Sequence, residues 1–225
     1  MPLRYLLLLS LIGCGASQTE APTVVAVSDS KGAPLVVGTG SSAPAPASPP
    51  AHDEEGPVPI RAEDPRLGRD DARVTIVIFI DLQCPHCREV HAHLAALQEK
   101  KPAMRLVWKH YPLQGHPQAR PAAEAAQGVY ALAGGAAFSK FAKKVLDSPT
   151  PTRADFETWA KEVGASSEVI ARGLDTGRWA AAVDKDRADG EKLNLMGVPT
   201  LFINGVQYAG DGSDESLGSA IDATK

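Results

Sequence analysis

Two kinds of apolar pattern alternate along this chain. Val74-Thr75-Ile76-Val77-Ile78-Phe79-Ile80 is a continuous β-branched run, the composition of a strand covered on both faces. After it, Val90, Leu94 and Leu97 recur at spacings of four and three, which predicts a helix over 85–99. A second strand is predicted at Arg105–His110, ending at Tyr111-Pro112. From about 116 to 195 the strand signal fades into Ala, Glu, Lys and Leu. Breaks at Gly134-Gly135, Pro149/Pro151, Gly164 and Gly177 predict three to five short helices there. Thr152-x-x-Asp155 has the form of a capping box, with Phe156 and Trp159 on the face behind it. Strand character returns at Val198-Pro199-Thr200-Leu201-Phe202-Ile203. Asn204-Gly205 then marks a tight hairpin, with Val206-Gln207-Tyr208 as the return strand. Ser213-Asp214-Glu215 opens a last helix through Leu217 and Ile221. The order is strand, helix, strand, helical block, hairpin, helix, which is an α/β class.

The first 57 residues have a different texture. Met1-Pro2-Leu3-Arg4, an apolar run from Tyr5 to Ile12 and then Gly13-Cys14 describe an export signal, too short to span a bilayer as a helix. Leu11-Ile12-Gly13-Cys14 resembles the lipobox of bacterial lipoproteins, in which the Cys is lipidated and becomes the first mature residue. That resemblance implies a signal peptide at 1–13 and a lipid anchor on Cys14. Residues 14–57 are expected to be a tether, rich in Pro, Ala and Ser at 43–50 and acidic at His52-Asp53-Glu54-Glu55. The remainder, 58–225, is a normal length for one domain with a sizeable core.

Charge excludes one class of partner. The net charge is −4, and loss of Arg4 with the signal makes it −5, without a basic cluster to bind nucleic acid. There are three cysteines. With Cys14 blocked by lipid, only Cys84 and Cys87 stay free, which rules out a disulfide framework. Export also places that pair where disulfides persist.

Cys84-Pro85-His86-Cys87 sits at the junction between the first strand and the first helix. A sulfur at a helix N-terminus meets unpaired backbone N–H groups and the positive end of the helix dipole, which favour a thiolate. Cys87 continues the Val90, Leu94, Leu97 stripe, so it is expected to face inward, with Cys84 at the exposed tip. Other readings of the motif stand beside this one. A structural zinc site wants four ligands and no second Cys pair exists, although His91, one turn after Cys87, is within reach of it. A purely structural disulfide is the blandest reading. A c-type haem is excluded because Arg88 follows Cys87.

Taken in this order and spacing, the chain from Val58 onward resembles the DsbA-like thiol–disulfide oxidoreductases of the thioredoxin superfamily. The resemblance rests on Cys84-Pro85-His86-Cys87, on Val198-Pro199-Thr200 opening a hairpin, on the helical block at about 116–195, and on the lead Asp64-Pro65-Arg66-Leu67-Gly68. It implies a thioredoxin fold with a helical insertion between the first strand–helix unit and the hairpin. It also implies a cis Pro199 packed beside the sulfurs, with Val198 and Pro199 offering a backbone edge to substrate. Cys84 would form the mixed disulfide, Cys87 would resolve it, and His86 would tune the Cys84 thiolate. Many relatives carry a buried acid six residues before the first Cys; here that position is Ile78. Asp81 is the nearby carboxylate, either the candidate proton relay or simply the solvent-facing end of the strand.

The function expected is a lipid-anchored extracytoplasmic oxidoreductase that donates disulfides to exported proteins with free thiols. It is expected to be monomeric and recycled by a membrane or soluble redox partner. It needs no metal or organic cofactor, since the sulfurs carry both electrons. The alternatives are a reductase or isomerase, and a copper or zinc carrier using Cys84, Cys87 and His91.

Overall fold

The computed structural model describes residues 56–224. The expected signal at 1–13, Cys14 and the tether as far as residue 55 lie outside the described residues.

The strand run at 74–80 forms β2, Thr75–Ile80, and leads into α1, Pro85–Lys100. It is preceded by β1, Arg66–Gly68, and followed by β3, Arg105–His110. The helical block resolves into α2 (Ala119–Asp147), α3 (Arg153–Glu162), α4 (Ser167–Thr176) and α5 (Ala180–Lys192). The hairpin is β4 (Thr200–Ile203) with β5 (Val206–Gln207), and α6 (Asp214–Ala223) closes the described chain. The strands form one sheet in the order β1-β3-β2-β4-β5. Only β2 and β3 run parallel, with Thr75 opposite Arg105 and Ile80 opposite His110, so both strands end on the same side. A parallel pair needs a crossover, and α1 supplies it.

Burial on both faces explains the unbroken apolar run of β2. Ile76, Ile78 and Ile80 join Leu94 and Leu97 of α1, Leu217 of α6 and the Ala- and Phe-rich α2 in one core. Val77 and Phe79 face the other way, with Val107, Phe202, Val58 and Ile60. Each large apolar side chain removed from water contributes about 1.5–3 kcal/mol.

The breaks in the helical block fall where the punctuating residues predict. Gly134 interrupts α2 with φ 78° and ψ −176°, a conformation other residues resist. Its neighbour Gly135 lies so close to β1 that a Cβ there would sit 1.8 Å from the Arg66 carbonyl oxygen. Thr152 makes the expected capping box with Asp155 at the start of α3. Asn204 and Gly205 both take positive φ, 47° and 80°, as a tight hairpin turn requires. Tyr208, expected in the return strand, lies just past it and donates its N–H to Leu201 O at 2.9 Å.

Two features escaped the pattern. Strand β1 is three residues long, too short for periodicity to reveal. Lys109, on the Val107 face of β3, is fully buried and forms ion pairs with Asp64, with Asp186 at 3.0 Å and with Asp189 at 3.6 Å. Arg61 donates a second cation to Asp189. This cluster ties the approach to β1 and the helix α5 to the sheet.

Candidate active site

Strand β2 hands the chain through Asp81-Leu82-Gln83 to Cys84, which caps α1 with extended backbone (φ −82°, ψ 125°). Pro85 occupies the first helical turn, where its missing N–H costs nothing. Cys84 and Cys87 are both free thiols. Cys87 is fully buried, as its stripe predicts, but Cys84 keeps only 7% of its surface rather than standing at an exposed tip. It belongs to the same apolar cluster as Leu82, Cys87 and Leu201, with Val198 packed against that cluster.

The two sulfurs are driven apart in acidity. Cys84 is pulled down from 9.0 to about 6, first by the hydrogen bond it receives from the Cys87 thiol. Burial opposes this, backbone N–H groups of Cys87 and His86 reinforce it, and the negative charge of Asp81 works against it. Cys87 is pushed well above its ordinary value, first by burial and then by the hydrogen bond it gives to Cys84. One sulfur is poised as the anion and its neighbour holds the proton. His86 contributes through its backbone amide, while its side chain is exposed.

The Val198–Pro199 peptide is cis. Thr200 closes the turn with a hydrogen bond from Oγ1 to Gly197 O at 2.7 Å. Pro199 and Val90, the α1 residue one turn beyond Cys87, share a cleft of about 180 Å³ with Thr200, Gln207 and Tyr208. Val198 and Pro199 are half-buried and lie just before β4, outside the sheet pairing. A larger groove of about 600 Å³, lined by Val74, Lys100 and Met104, lies at the opposite end of the sheet from the cysteines.

Asp81 does not end the strand in solvent. Its side chain is completely buried and accepts hydrogen bonds from Gln83 N (2.7 Å) and Leu113 N (2.8 Å), with His116 Nδ1 at 2.8 Å. Gln83 in turn accepts from Gln118 N at 2.8 Å. The loop between β3 and α2 is thereby fastened to the residues just before Cys84. Sequence reasoning missed His116 and Gln83, because no periodicity links positions 35 residues apart. Ile78, where the resemblance led to the expectation of a buried acid, is simply core.

The carrier arrangement of Cys84, Cys87 and His91 does not form. His91 is turned toward α2, its Nε2 at 3.3 Å from the Ser139 carbonyl, and burial pulls it down to about 4. His93 pairs with Asp214 at 2.6 Å. Among the described residues no three His, Cys, Asp or Glu side chains gather as a metal site.

The Thioredoxin family model matches residues 61–223. Among curated proteins, the chain is 30% identical over 156 residues to Na(+)/H(+) antiporter NhaA 3 of Salinispora tropica. That alignment covers 68% of this chain and 24% of the antiporter, so the chain spans about a quarter of that relative's length. It is 27% identical over 151 residues to Disulfide bond formation protein D of Bacillus subtilis, covering 62% of this chain and 67% of that protein. The fold is similar to that of oxidised BdbD from Bacillus subtilis, with a TM-score of 0.64 and 24% identity over 72% of this chain and 92% of the other. The chain therefore belongs to the thioredoxin family.

Proposed function

We propose that this protein is an extracytoplasmic oxidase that passes the Cys84–Cys87 disulfide to exported proteins. The observation that supports the direction is the split acidity of the two sulfurs. A substrate thiolate attacks Cys84 Sγ of the disulfide. The Cys84–Cys87 bond breaks, and Cys87 leaves with the electron pair and takes up a proton. A second substrate thiolate then attacks the substrate sulfur of the mixed disulfide and releases Cys84 as a thiolate. The substrate gains a disulfide and loses two electrons, which the Cys pair gains. In the second step the more acidic thiol, Cys84, is the better leaving group, and its stabilised thiolate stabilises the reduced protein, so both favour donation.

In this reading Cys84 carries the substrate, Cys87 is the sulfur displaced first and the one that returns to Cys84 to resolve an unproductive mixed disulfide, and Val198 with cis Pro199 forms the docking edge beside them. The backbone amide of His86 holds the Cys84 anion, and its side chain is free to meet solvent or substrate. No metal or organic cofactor takes part, because the two sulfurs carry both electrons. Domain 58–225 works as a monomer on the tether 14–57, held to a membrane through lipid on Cys14 after loss of 1–13. A membrane or soluble partner reoxidises the pair. Among the described residues no helix is long and apolar enough to cross a membrane.

The test is oxidative refolding of a reduced, disulfide-containing secreted protein. Cys84→Ser is expected to abolish it, and Cys87→Ser to accumulate mixed disulfides through Cys84. Comparable refolding by the Cys84→Ser protein refutes the assignment. Mass spectrometry of the membrane-extracted protein is expected to find the lipid on Cys14 as the first residue; an unmodified N-terminus there overturns the anchor.

A further inference from the structure

We propose that His116 is a positioning residue for the redox pair, acting through Asp81: its imidazole holds the buried carboxylate in place and screens the negative charge that Asp81 directs at Cys84 and Cys87. The inference rests on the thiol–disulfide reading of the site and deepens it.

Three observations carry it. First, Asp81 is a wholly buried carboxylate in the segment that delivers Cys84, and its main-chain carbonyl accepts the Cys84 N–H at 3.1 Å. It is covalently and geometrically tied to the first sulfur and cannot swing into water. Second, its side-chain oxygens have three partners, of which Gln83 N and Leu113 N are neutral amides. His116 is the single side-chain partner among these three, and it is 28% exposed. Third, the charge of Asp81 acts on the chemistry, since it disfavours the thiolate at both cysteines.

The surroundings isolate this pair. Among the described residues no other charged side chain forms a hydrogen bond or ion pair with Asp81 or His116. Arg120 at the start of α2 is engaged by Asp184 and Glu124. His86 and Arg88 on α1 are exposed. An unscreened carboxylate beside a sulfur opposes its ionisation, and a cation on that carboxylate relieves the opposition. Without His116, Asp81 weighs more heavily on Cys84 and the reduced state loses stability. Without Asp81, His116 has no route to the sulfur.

A double-mutant cycle in the full chain tests this. His116→Gln keeps a hydrogen-bond donor but removes the ionisable ring. It is expected to raise the midpoint at which Cys84 is alkylated by iodoacetamide by roughly half a pH unit, a shift of about threefold in the thiolate-to-thiol ratio. It is also expected to make the pair less oxidising against glutathione. Asp81→Asn is expected to move both quantities the opposite way. In the Asp81→Asn background, His116→Gln is expected to change neither. An unmoved midpoint in the His116→Gln protein overturns the proposal, as does an equal shift with and without Asp81. The alkylation midpoint is read with no disulfide exchange. A chain that shows the expected midpoints yet never exchanges with glutathione would sink the oxidase reading and leave the coupling intact.

Discussion

Replacing Cys87 by Ala and, separately, by Ser isolates the main reason why Cys84 holds a charge. The largest influence lowering Cys84 to about 6 is the hydrogen bond from the Cys87 thiol. A hydrogen bond to a charged group contributes about 1.5–3 kcal/mol, which is about one to two pH units at about 1.36 kcal/mol each. Cys87→Ala deletes the donor and leaves only the backbone amides, so Cys84 is expected to titrate at roughly pH 7 to 8. Cys87→Ser keeps a hydroxyl donor in the same place and is expected to stay near the native midpoint. At pH 7 the native thiolate outnumbers the thiol by about ten to one, whereas in the Ala variant the ratio falls to about one or below. The assay is the alkylation rate of Cys84 by iodoacetamide against pH, read by peptide mass spectrometry so that Cys14 is scored separately. Ala and Ser variants that titrate together would refute the hydrogen-bond account.

Two further outcomes concern the fold. Lys109→Met leaves Asp64, Asp186 and Asp189 with Arg61 as their remaining cation, and it is expected to cost about 3–5 kcal/mol in urea denaturation. A cost below about 1 kcal/mol would mean the cluster does not hold α5 to the sheet. His91 is buried neutral, its folded value depressed from 6.5 to about 4. The unfolded chain therefore binds the extra proton first, so stability present above pH 6.5 is lost as pH falls from there toward 4. Between pH 7 and 5 this amounts to about 2 kcal/mol, and His91→Phe is expected to shrink the acid-induced drop in urea midpoint accordingly. An unchanged drop in the variant contradicts it.

The elements that position the chemistry were legible because each carries its own local signal. The β-branched run of β2, the Val90–Leu94–Leu97 stripe and Asn204-Gly205 depend on neighbours within a few residues. So does the placement of Cys84 at a helix start, since Pro85 belongs in a first turn. The parts that were not legible depend on distant partners. Lys109 looks like any polar strand residue until Asp186, far along the chain, is folded against it. Asp81 has no visible partner until the β3–α2 loop brings His116 to it. Cys84 lies at an element boundary, where a helical stripe implies an outward tip, yet tertiary packing leaves it buried within the main apolar cluster. Local pattern locates the sulfurs and supplies the hydrogen bond between them, and long-range packing decides how deeply they are buried.

The most direct test is the equilibrium of the Cys84–Cys87 pair with glutathione at pH 7, read by trapping free thiols and mapping the peptides. A Cys84 value of about 6 in place of 9.0 favours the reduced form about tenfold at that pH, which corresponds to about 30 mV toward oxidising potential. The pair is expected to stay reduced in glutathione mixtures oxidising enough to close an ordinary structural disulfide. A Cys84–Cys87 disulfide that persists in strongly reducing glutathione would contradict the assignment of this protein as a disulfide donor.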